Sequence, residues 1–366
     1  MKPKLVYAAV VAAGLSASGW KLSVPRGLDA FMPVPDENPL TAAKVALGQE
    51  LFFDKRLSRD QSLACANCHD PTHAFTDTQP IAIGVFQRRG QRRAPSLLNR
   101  GYGASFFWDG RIRTLEEQVL QPIVNPLEMD LPLEEAVARL RPQVNSVEEL
   151  SHALASYVRT ILSGDSPFDR YAAGDAAALS PLQLEGLRLF RGKANCTACH
   201  IGPNLTDELF HNTGIGYRDA TFADPGRFTV TRDPKDLGAF KTPTLRAVAD
   251  RPPYMHDGSL ATLEDVIEHY DRGGIPNPNL DEDIEPLNLN PPEKRALTAF
   301  LQALSGTIVH GVAPQSPTAS TLRKEGNRAS RQRQTKVPGV PQLLSQGSLD
   351  RETVRKAHRG SWWRKD

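Results

Sequence analysis

The chain contains little sulfur, with four cysteines and four methionines among 366 residues. All four cysteines lie in two short segments, Cys65-Ala66-Asn67-Cys68-His69 and Cys196-Thr197-Ala198-Cys199-His200. No thiol is left over, so the sequence excludes the disulfide framework on which many small secreted domains depend.

Long apolar runs are also scarce. One run, residues 5–15, follows Lys2 and Lys4 and precedes the small residues 16–19. This layout is typical of a secretory signal and is too short to span a bilayer comfortably. We predict that residues 1–19 are a signal peptide, with an uncleaved anchor as the alternative, and that no other segment crosses a membrane.

Each Cys-x-x-Cys-His segment is the attachment signature of a c-type haem. Two thiols at this spacing reach the two vinyl groups of one porphyrin, and the next residue, histidine, ligates the iron. The predicted ligands of two covalently bound haems c are Cys65, Cys68 and His69, and Cys196, Cys199 and His200. Zinc or redox sites are the alternative, but they leave the histidine after each pair unexplained. Bacteria attach haem c outside the cytoplasmic membrane, so the segments and the signal both predict a periplasmic protein.

The two halves of the chain repeat each other in four blocks that occur in the same order. The blocks are Gly48-x-x-Leu51-Phe52 and Gly186-x-x-Leu189-Phe190, then Phe75-Thr76-Asp77 and Leu205-Thr206-Asp207, then Pro95-Ser96-Leu97 and Pro243-Thr244-Leu245, then Trp108-Asp109-Gly110 and His256-Asp257-Gly258. Such a repeat predicts duplication of a one-haem unit, with haem domains over residues 38–165 and 166–308.

The readable secondary structure is helical. Helix start signals occur at Ser146, at Ser180, at Thr262 and at Pro291, and apolar residues follow each of them at helical spacing. Convincing alternating strands are missing, and the 29 prolines and 27 glycines indicate long loops around a flat cofactor. We therefore predict a mainly α protein with little β, built from two cytochrome c-like haem domains.

The last part of the chain has a different composition. From Gly311 onward it is rich in Ser, Gln, Lys and Arg and has little apolar periodicity. We predict that residues 309–366 form a disordered basic tail that serves solubility rather than nucleic-acid binding.

Tyr270 shares a predicted helix face with three apolar residues, Leu263, Val266 and Ile267. That face points inward, so we expect Tyr270 to be buried near the second haem. It is either a core tyrosine or a group that acts at the iron. His269 lies beside it in the sequence but on a different face.

The repeat distinguishes the two haems. Tyr270 lies eight residues after Thr262, and Pro122 lies eight residues after Thr114. Proline has no side-chain donor for iron, so Pro122 cannot do at the first haem what Tyr270 does at the second. We predict one closed haem for electron storage and one open haem for reaction.

Over about residues 40–305 the sequence resembles the bacterial di-haem cytochrome c peroxidases and their relative MauG, the methylamine utilisation di-haem enzyme. Besides the two haem segments, six strings carry the resemblance. They are LGQELFFD (47–54), AFTD (74–77), FWDGR (107–111), PLEM (126–129), KTPTLR (241–246) and YMHDG (254–258).

This resemblance implies roles for five residues. It places Trp108 between the haems, and it places Gln118, Pro122 and Glu128 around the peroxide site. Ordinary family peroxidases carry a methionine at the position of Tyr270, and a tyrosine there is the mark of MauG-like members. An anionic oxygen ligand lowers the potential of the second haem.

Three other positions depart from family patterns. The loop position that often holds a blocking histidine is about Val85 here, which implies that no reductive activation is needed. Family members hold calcium between the haems partly through an asparagine, and Arg93 stands at that position here. Whether this chain binds calcium is therefore left open, and backbone carbonyls near Arg251 and Pro253 are the remaining candidate ligands. MauG uses an exposed tryptophan just before its second haem segment, and Ala194 stands there.

The function implied is that of a di-haem oxidoreductase that uses hydrogen peroxide at the first haem. Glu128 moves protons during O–O cleavage, Gln118 orients the oxygen ligand, and Trp108 connects the haems. Tyr270 favours oxidation of a protein partner, as in maturation of the methylamine dehydrogenase precursor. Ala194 favours the alternative, peroxide removal with a small cytochrome c or cupredoxin as donor. A non-catalytic electron carrier needs two closed haems, which Pro122 argues against.

Overall fold

A computed structural model describes residues 20–312, and this part of the chain is mainly helical. The predicted signal, residues 1–19, and the predicted tail beyond residue 312 lie outside the described residues. Among residues 20–312, no helix is both long enough and apolar enough to span a bilayer.

Eleven α-helices occur between residues 20 and 312. They are α1 (Ala42–Phe52), α2 (Cys65–Cys68), α3 (Leu115–Gln118), α4 (Gln121–Val124), α5 (Leu133–Leu140), α6 (Val147–Arg159), α7 (Pro167–Ala172), α8 (Pro181–Arg191), α9 (Phe228–Thr231), α10 (Leu263–Asp271) and α11 (Pro291–Gln302). Six short strands pair antiparallel as β1 (Leu162–Gly164) with β6 (Thr307–Val309), β2 (Phe210–His211) with β5 (Phe240–Lys241), and β3 (Tyr217–Arg218) with β4 (Thr221–Phe222).

All four helices predicted from start signals are present, as α6, α8, α10 and α11. The Thr262 hydroxyl accepts the Asp265 N–H, and the Asp265 carboxylate accepts the Thr262 N–H, so this capping box is complete. The box predicted at Ser146 is only half formed, because the Glu149 carboxylate accepts the N–H of Asn145 instead. The mainly helical architecture with little β is therefore confirmed.

Each half contains one pair of crossed helices around an apolar core. In the first half α1 packs on α6, and a Cβ atom on Gly48 would overlap the carbonyl oxygen of Ala153. In the second half α8 packs on α11, and a Cβ atom on Gly186 would overlap the carbonyl oxygen of Ala296. The two equivalent glycines of the repeat therefore allow the same close approach of two helices.

The two halves exchange equivalent backbone hydrogen bonds. The N–H of Arg93 donates to the carbonyl of His256 at 2.7 Å, and the N–H of Lys241 donates to the carbonyl of Trp108 at 2.8 Å. In the repeat, Arg93 corresponds to Lys241 and Trp108 corresponds to His256. This exchange fixes Trp108 at the junction of the halves.

The described chain ends against the first half. Strand β6 pairs with β1 and runs across the boundary predicted between residues 308 and 309. His310 then packs edge-on against Phe75, and its Nδ1 lies 3.1 Å from the hydroxyl of Tyr157. The N–H of Gly311 donates to the Thr160 hydroxyl. Residues 309–311 thus belong to the folded chain rather than to the predicted tail.

Candidate haem sites

Residues from both halves line one cavity of about 800 Å³. This volume lies within the range of ligand pockets in proteins. The cavity wall contains ten of the predicted site residues, namely Cys68, His69, Trp108, Gln118, Pro122, Glu128, Cys196, Cys199, His200 and Tyr270. Cys65 lines a smaller adjoining cavity of about 70 Å³ together with Cys68 and His69. The fold therefore brings the predicted site residues of both halves together.

The two Cys-x-x-Cys-His segments form matching turns. His69 donates its backbone N–H to the carbonyl of Cys65, and His200 donates its N–H to the carbonyl of Cys196, each at 2.9 Å. Burial raises the pKa of the thiols of Cys65 and Cys196 to about 12, so both thiols are neutral at pH 7.

Both histidine rings are oriented by a backbone carbonyl. The Nδ1 atom of His69 lies 3.3 Å from the carbonyl oxygen of Phe75, and the Nδ1 atom of His200 lies 2.9 Å from that of Leu205. A carbonyl only accepts, so each Nδ1 carries the proton and each Nε2 keeps its lone pair for a metal. Phe75 and Leu205 are equivalent in the repeat and share left-handed φ angles of 54° and 53°.

Burial also holds both rings neutral. It lowers the pKa of His69 to about 4 and moves the pKa of His200 in the same direction. Neutral imidazole is the form that ligates iron. The ring orientation and the protonation state of both histidines therefore fit a metal ligand.

Two buried arginines add a test of whether a haem fits here. Arg93 is 4% exposed and Arg251 is 8% exposed, and both line the cavity. Their Nε–H groups have no hydrogen-bond partner among the described residues. A haem carries two propionate carboxylates, and buried guanidinium donors are suited to such anions. The arginines, thiols and histidines of the cavity together fit haem.

Tyr270 on α10 lines the cavity, and it is half-buried rather than buried as the sequence predicted. Leu263 and Ile267 are buried on the same helix, while the His269 ring lies edge-on to Tyr270 and is not part of the cavity wall. Burial raises the pKa of Tyr270, which favours the neutral phenol. A cation next to the oxygen reverses this preference, because it stabilises the phenolate.

Gln118 on α3, Pro122 on α4 and Glu128 in the following loop line both this cavity and the smaller one beside His69. Burial raises the pKa of Glu128, and a hydrogen bond from Asn125 and the charge of Arg111 act against this rise. A raised pKa makes the carboxylate a stronger base, which suits a group that accepts and returns a proton.

Asn125 is a site residue that the sequence prediction missed. Its side-chain amide donates to the Glu128 carboxylate at 2.6 Å. The available signal was its position in an Asn-Pro turn three residues before Glu128.

Val85 occupies the loop next to Glu128. It is 1% exposed, and its N–H donates to the backbone carbonyl of Glu128 at 2.8 Å. A Cβ atom on the preceding Gly84 would overlap the carbonyl oxygen of Leu127. The loop is therefore fastened to the backbone that presents Glu128, and its Val85 side chain offers no metal ligand.

Trp108 lies in the cavity wall where the halves meet. Its Nε1–H donates to the carbonyl of Arg93 at 2.8 Å. His256, its equivalent in the second half, stacks on Phe240 with ring centroids 3.6 Å apart, and burial lowers its pKa to about 4. Ala194 is buried at the cavity wall, so it offers no exposed side chain to a partner.

One cluster of potential metal ligands occurs within residues 20–312, formed by Cys199, Asp207 and His211. Nδ1 of His211 lies 2.7 Å from Asp281 and Nε2 lies 2.9 Å from Asp207. Burial lowers the pKa of His211, but these two carboxylates outweigh burial and raise it to about 11. Both ring nitrogens of His211 face carboxylates and Cys199 is a predicted haem thiol, so we assign this cluster to the second haem segment.

The chain is similar to several known proteins. Residues 42–177 match a family model described as di-haem cytochrome c peroxidase. The chain is 39% identical over 301 residues to the methylamine utilization protein MauG of Methylorubrum extorquens, covering 78% of this chain and 85% of that protein. It is 36% identical over 352 residues to cytochrome-c peroxidase IdrP1 of Denitromonas iodatirespirans, covering 84% and 93%. A crystal structure of a MauG-like protein associated with microbial copper homeostasis is similar at a TM-score of 0.73 and 32% identity, covering 79% and 96%.

Proposed function

The chain belongs to the di-haem cytochrome c peroxidase and MauG family, and on this premise we propose that it uses hydrogen peroxide at the His69 side of the cavity and holds the His200 side closed with Tyr270. The family implies two haems, hydrogen peroxide and a redox partner. One observation carries the proposal: equivalent positions of the two halves present Pro122 and Tyr270 to the same cavity. Only Tyr270 carries a donor atom for iron.

Cys65 and Cys68 would hold the first haem, with His69 as its iron ligand. Cys196 and Cys199 would hold the second haem, with His200 and Tyr270 as its iron ligands. When bound, the haems supply the redox chemistry, in which peroxide takes up two electrons and two protons and gives two waters. Arg93 and Arg251 supply buried Nε–H donors for the propionates.

Glu128 is the proposed proton carrier. Its carboxylate accepts the proton from one oxygen of peroxide, the oxygen nearer to His69. It then gives this proton to the other oxygen, which leaves as water. Asn125 keeps the carboxylate in one orientation through the 2.6 Å hydrogen bond. Gln118 lines the same cavities as Glu128, and its amide would orient the peroxide.

Trp108 is the proposed electron route between the two sides. Support comes from its position at the junction, where hydrogen bonds to Arg93 and from Lys241 hold both its ring and its backbone. The paired bonds across the junction also support our proposal that the halves, residues 38–165 and 166–308, arose by duplication of a one-haem unit.

The proposed substrate is a partner protein, which this chain would oxidise in the way that MauG-like enzymes oxidise theirs. The methylamine dehydrogenase precursor is one candidate. Tyr270 at the second site supports this assignment. The buried Ala194 supports the second candidate function, removal of peroxide with electrons from a small cytochrome c or cupredoxin. We propose a periplasmic location, which the Cys-x-x-Cys-His segments support because bacteria attach haem c there.

The deciding experiment incubates the holoprotein with hydrogen peroxide and one of two reductants. A reduced cytochrome c is followed by its absorbance, and a protein encoded next to this gene is followed by mass spectrometry. Peroxide-dependent oxidation of side chains in the neighbouring protein supports the MauG-like function. Rapid turnover of the cytochrome with no modified protein supports peroxide removal, and consumption of neither contradicts both.

A further inference from the structure

Three backbone carbonyl oxygens converge on one guanidinium nitrogen between the halves. Nη2 of Arg93 donates to the carbonyl of Asp77 at 2.6 Å, and to those of Arg251 and Pro252 at 3.2 Å each. Asp77 belongs to the first half, and the other two carbonyls belong to the second. The Arg93 side chain therefore binds both halves at once.

The chemistry of this cluster is that of a cation site. Backbone carbonyl oxygens are among the ligands that a hard cation such as Ca²⁺ takes in proteins. Among the described residues no carboxylate lies within ion-pair distance of Arg93, so the protein partners of its Nη2 are carbonyl dipoles. Burial lowers the pKa of Arg93 to about 10, which leaves the guanidinium charged at pH 7.

We propose that the guanidinium of Arg93 takes the place of the calcium ion that resembling proteins hold between their haems, so that this chain joins its halves without a bound metal. The two arrangements exclude each other. Calcium needs six to eight oxygen ligands at about 2.3–2.6 Å, whereas these carbonyls surround a nitrogen at hydrogen-bond distance. The cavity residues fit haem, but this carbonyl cluster does not fit calcium.

The same residue organises the junction through its backbone. The Arg93 N–H donates to His256, and its carbonyl accepts the indole N–H of Trp108 at 2.8 Å. His73 adds a second donor to the Pro252 carbonyl, with its Nε2 at 2.8 Å. A cation that is part of the chain keeps Trp108 in place whatever the calcium concentration around the protein.

The first test uses the wild-type holoprotein. Elemental analysis should find no stoichiometric calcium, and neither EGTA nor added calcium should change the Tm or the spin-state spectrum. One calcium per chain, or a Tm that falls in EGTA and recovers with calcium, would overturn the proposal. This test does not depend on peroxide chemistry, so its failure is separable from failure of the proposed function.

The second test removes the cation. Arg93→Asn replaces it with an oxygen donor, and we expect this variant to gain a calcium-dependent rise in Tm of about 5 °C at saturating calcium. Arg93→Lys keeps a charge and should stay insensitive to calcium, as should Arg88→Asn, which alters an arginine on the Asp130 ion pair. A folded Arg93→Asn protein that ignores calcium contradicts the proposal. If this variant does not fold, the wild-type measurements decide.

Discussion

The side-chain amide of Asn125 donates to the Glu128 carboxylate at 2.6 Å. A second bond joins the same two residues, because the backbone carbonyl of Asn125 accepts the Glu128 N–H at 2.9 Å. The side-chain oxygen of Asn125 also accepts the N–H of Leu127, the residue before Glu128, at 3.0 Å. Asn125 therefore sets both the position and the basicity of Glu128. A short local turn controls the group that we propose to move protons.

We expect Asn125→Ala to shift the pH dependence of the reaction with peroxide. The amide hydrogen bond lowers the pKa of Glu128 against the effect of burial, so its loss raises that pKa further. As the solution is acidified, the carboxylate form is then lost at a higher pH. The acidic limb of the rate–pH profile therefore shifts to higher pH. Stopped-flow rates between pH 5 and 8 measure this shift. An unchanged limb together with a uniformly lower rate would mean that Asn125 is only structural.

Glu128→Gln keeps the size of the side chain and removes its basicity. We expect the absorbance change after mixing with peroxide to slow by about a hundred- to ten-thousand-fold, since this is what general acid–base groups contribute. Haem content and spin state should be unchanged. Glu117→Gln alters an exposed carboxylate on α3 and serves as the matched control. A wild-type rate in Glu128→Gln would exclude this residue from proton transfer.

Tyr270 and Pro122 predict different spin states for the two irons. Electron paramagnetic resonance of the ferric protein should show one high-spin, five-coordinate haem and one low-spin haem. Tyr270→Phe removes only the oxygen donor, so both haems should become high-spin, while Pro122→Ala adds no donor and should keep the wild-type pattern. Two low-spin signals in the wild type would contradict the open site.

Replacing Tyr270 with methionine should raise the potential of the second haem by on the order of 0.1–0.3 V, because a neutral thioether stabilises ferric iron less than a phenolate does. A spectroelectrochemical titration measures both haems at once, and the potential of the haem at His69 should move much less. Tyr217→Met, on a tyrosine in β3 outside the cavity wall, is the control. Equal potentials in Tyr270→Met and wild type would make Tyr270 a core residue.

Local patterns predicted four of the eleven α-helices between residues 20 and 312, among them the two longest, α6 and α11. The helices that begin after Thr262 and Ser180 have the predicted starts, since capping depends on residues three positions apart. The half-formed box at Ser146 is a small deviation, because Asn145 competes for the Glu149 carboxylate. The strand that carries Val309 back to Leu162 was not predicted, since two- and three-residue strands have too little periodicity to recognise.

The sequence by itself determined the haem segments, the repeat and the contrast between Tyr270 and Pro122, because each depends on residue types at fixed spacing. It also supported the family assignment, which the comparisons confirm. Only the tertiary structure decided that both segments line one cavity and that Arg93 meets carbonyls from Asp77 and Pro252. The physical reason is that every residue has a backbone carbonyl, so the residue type does not reveal where that carbonyl points. Its direction is set only when packing brings distant segments together.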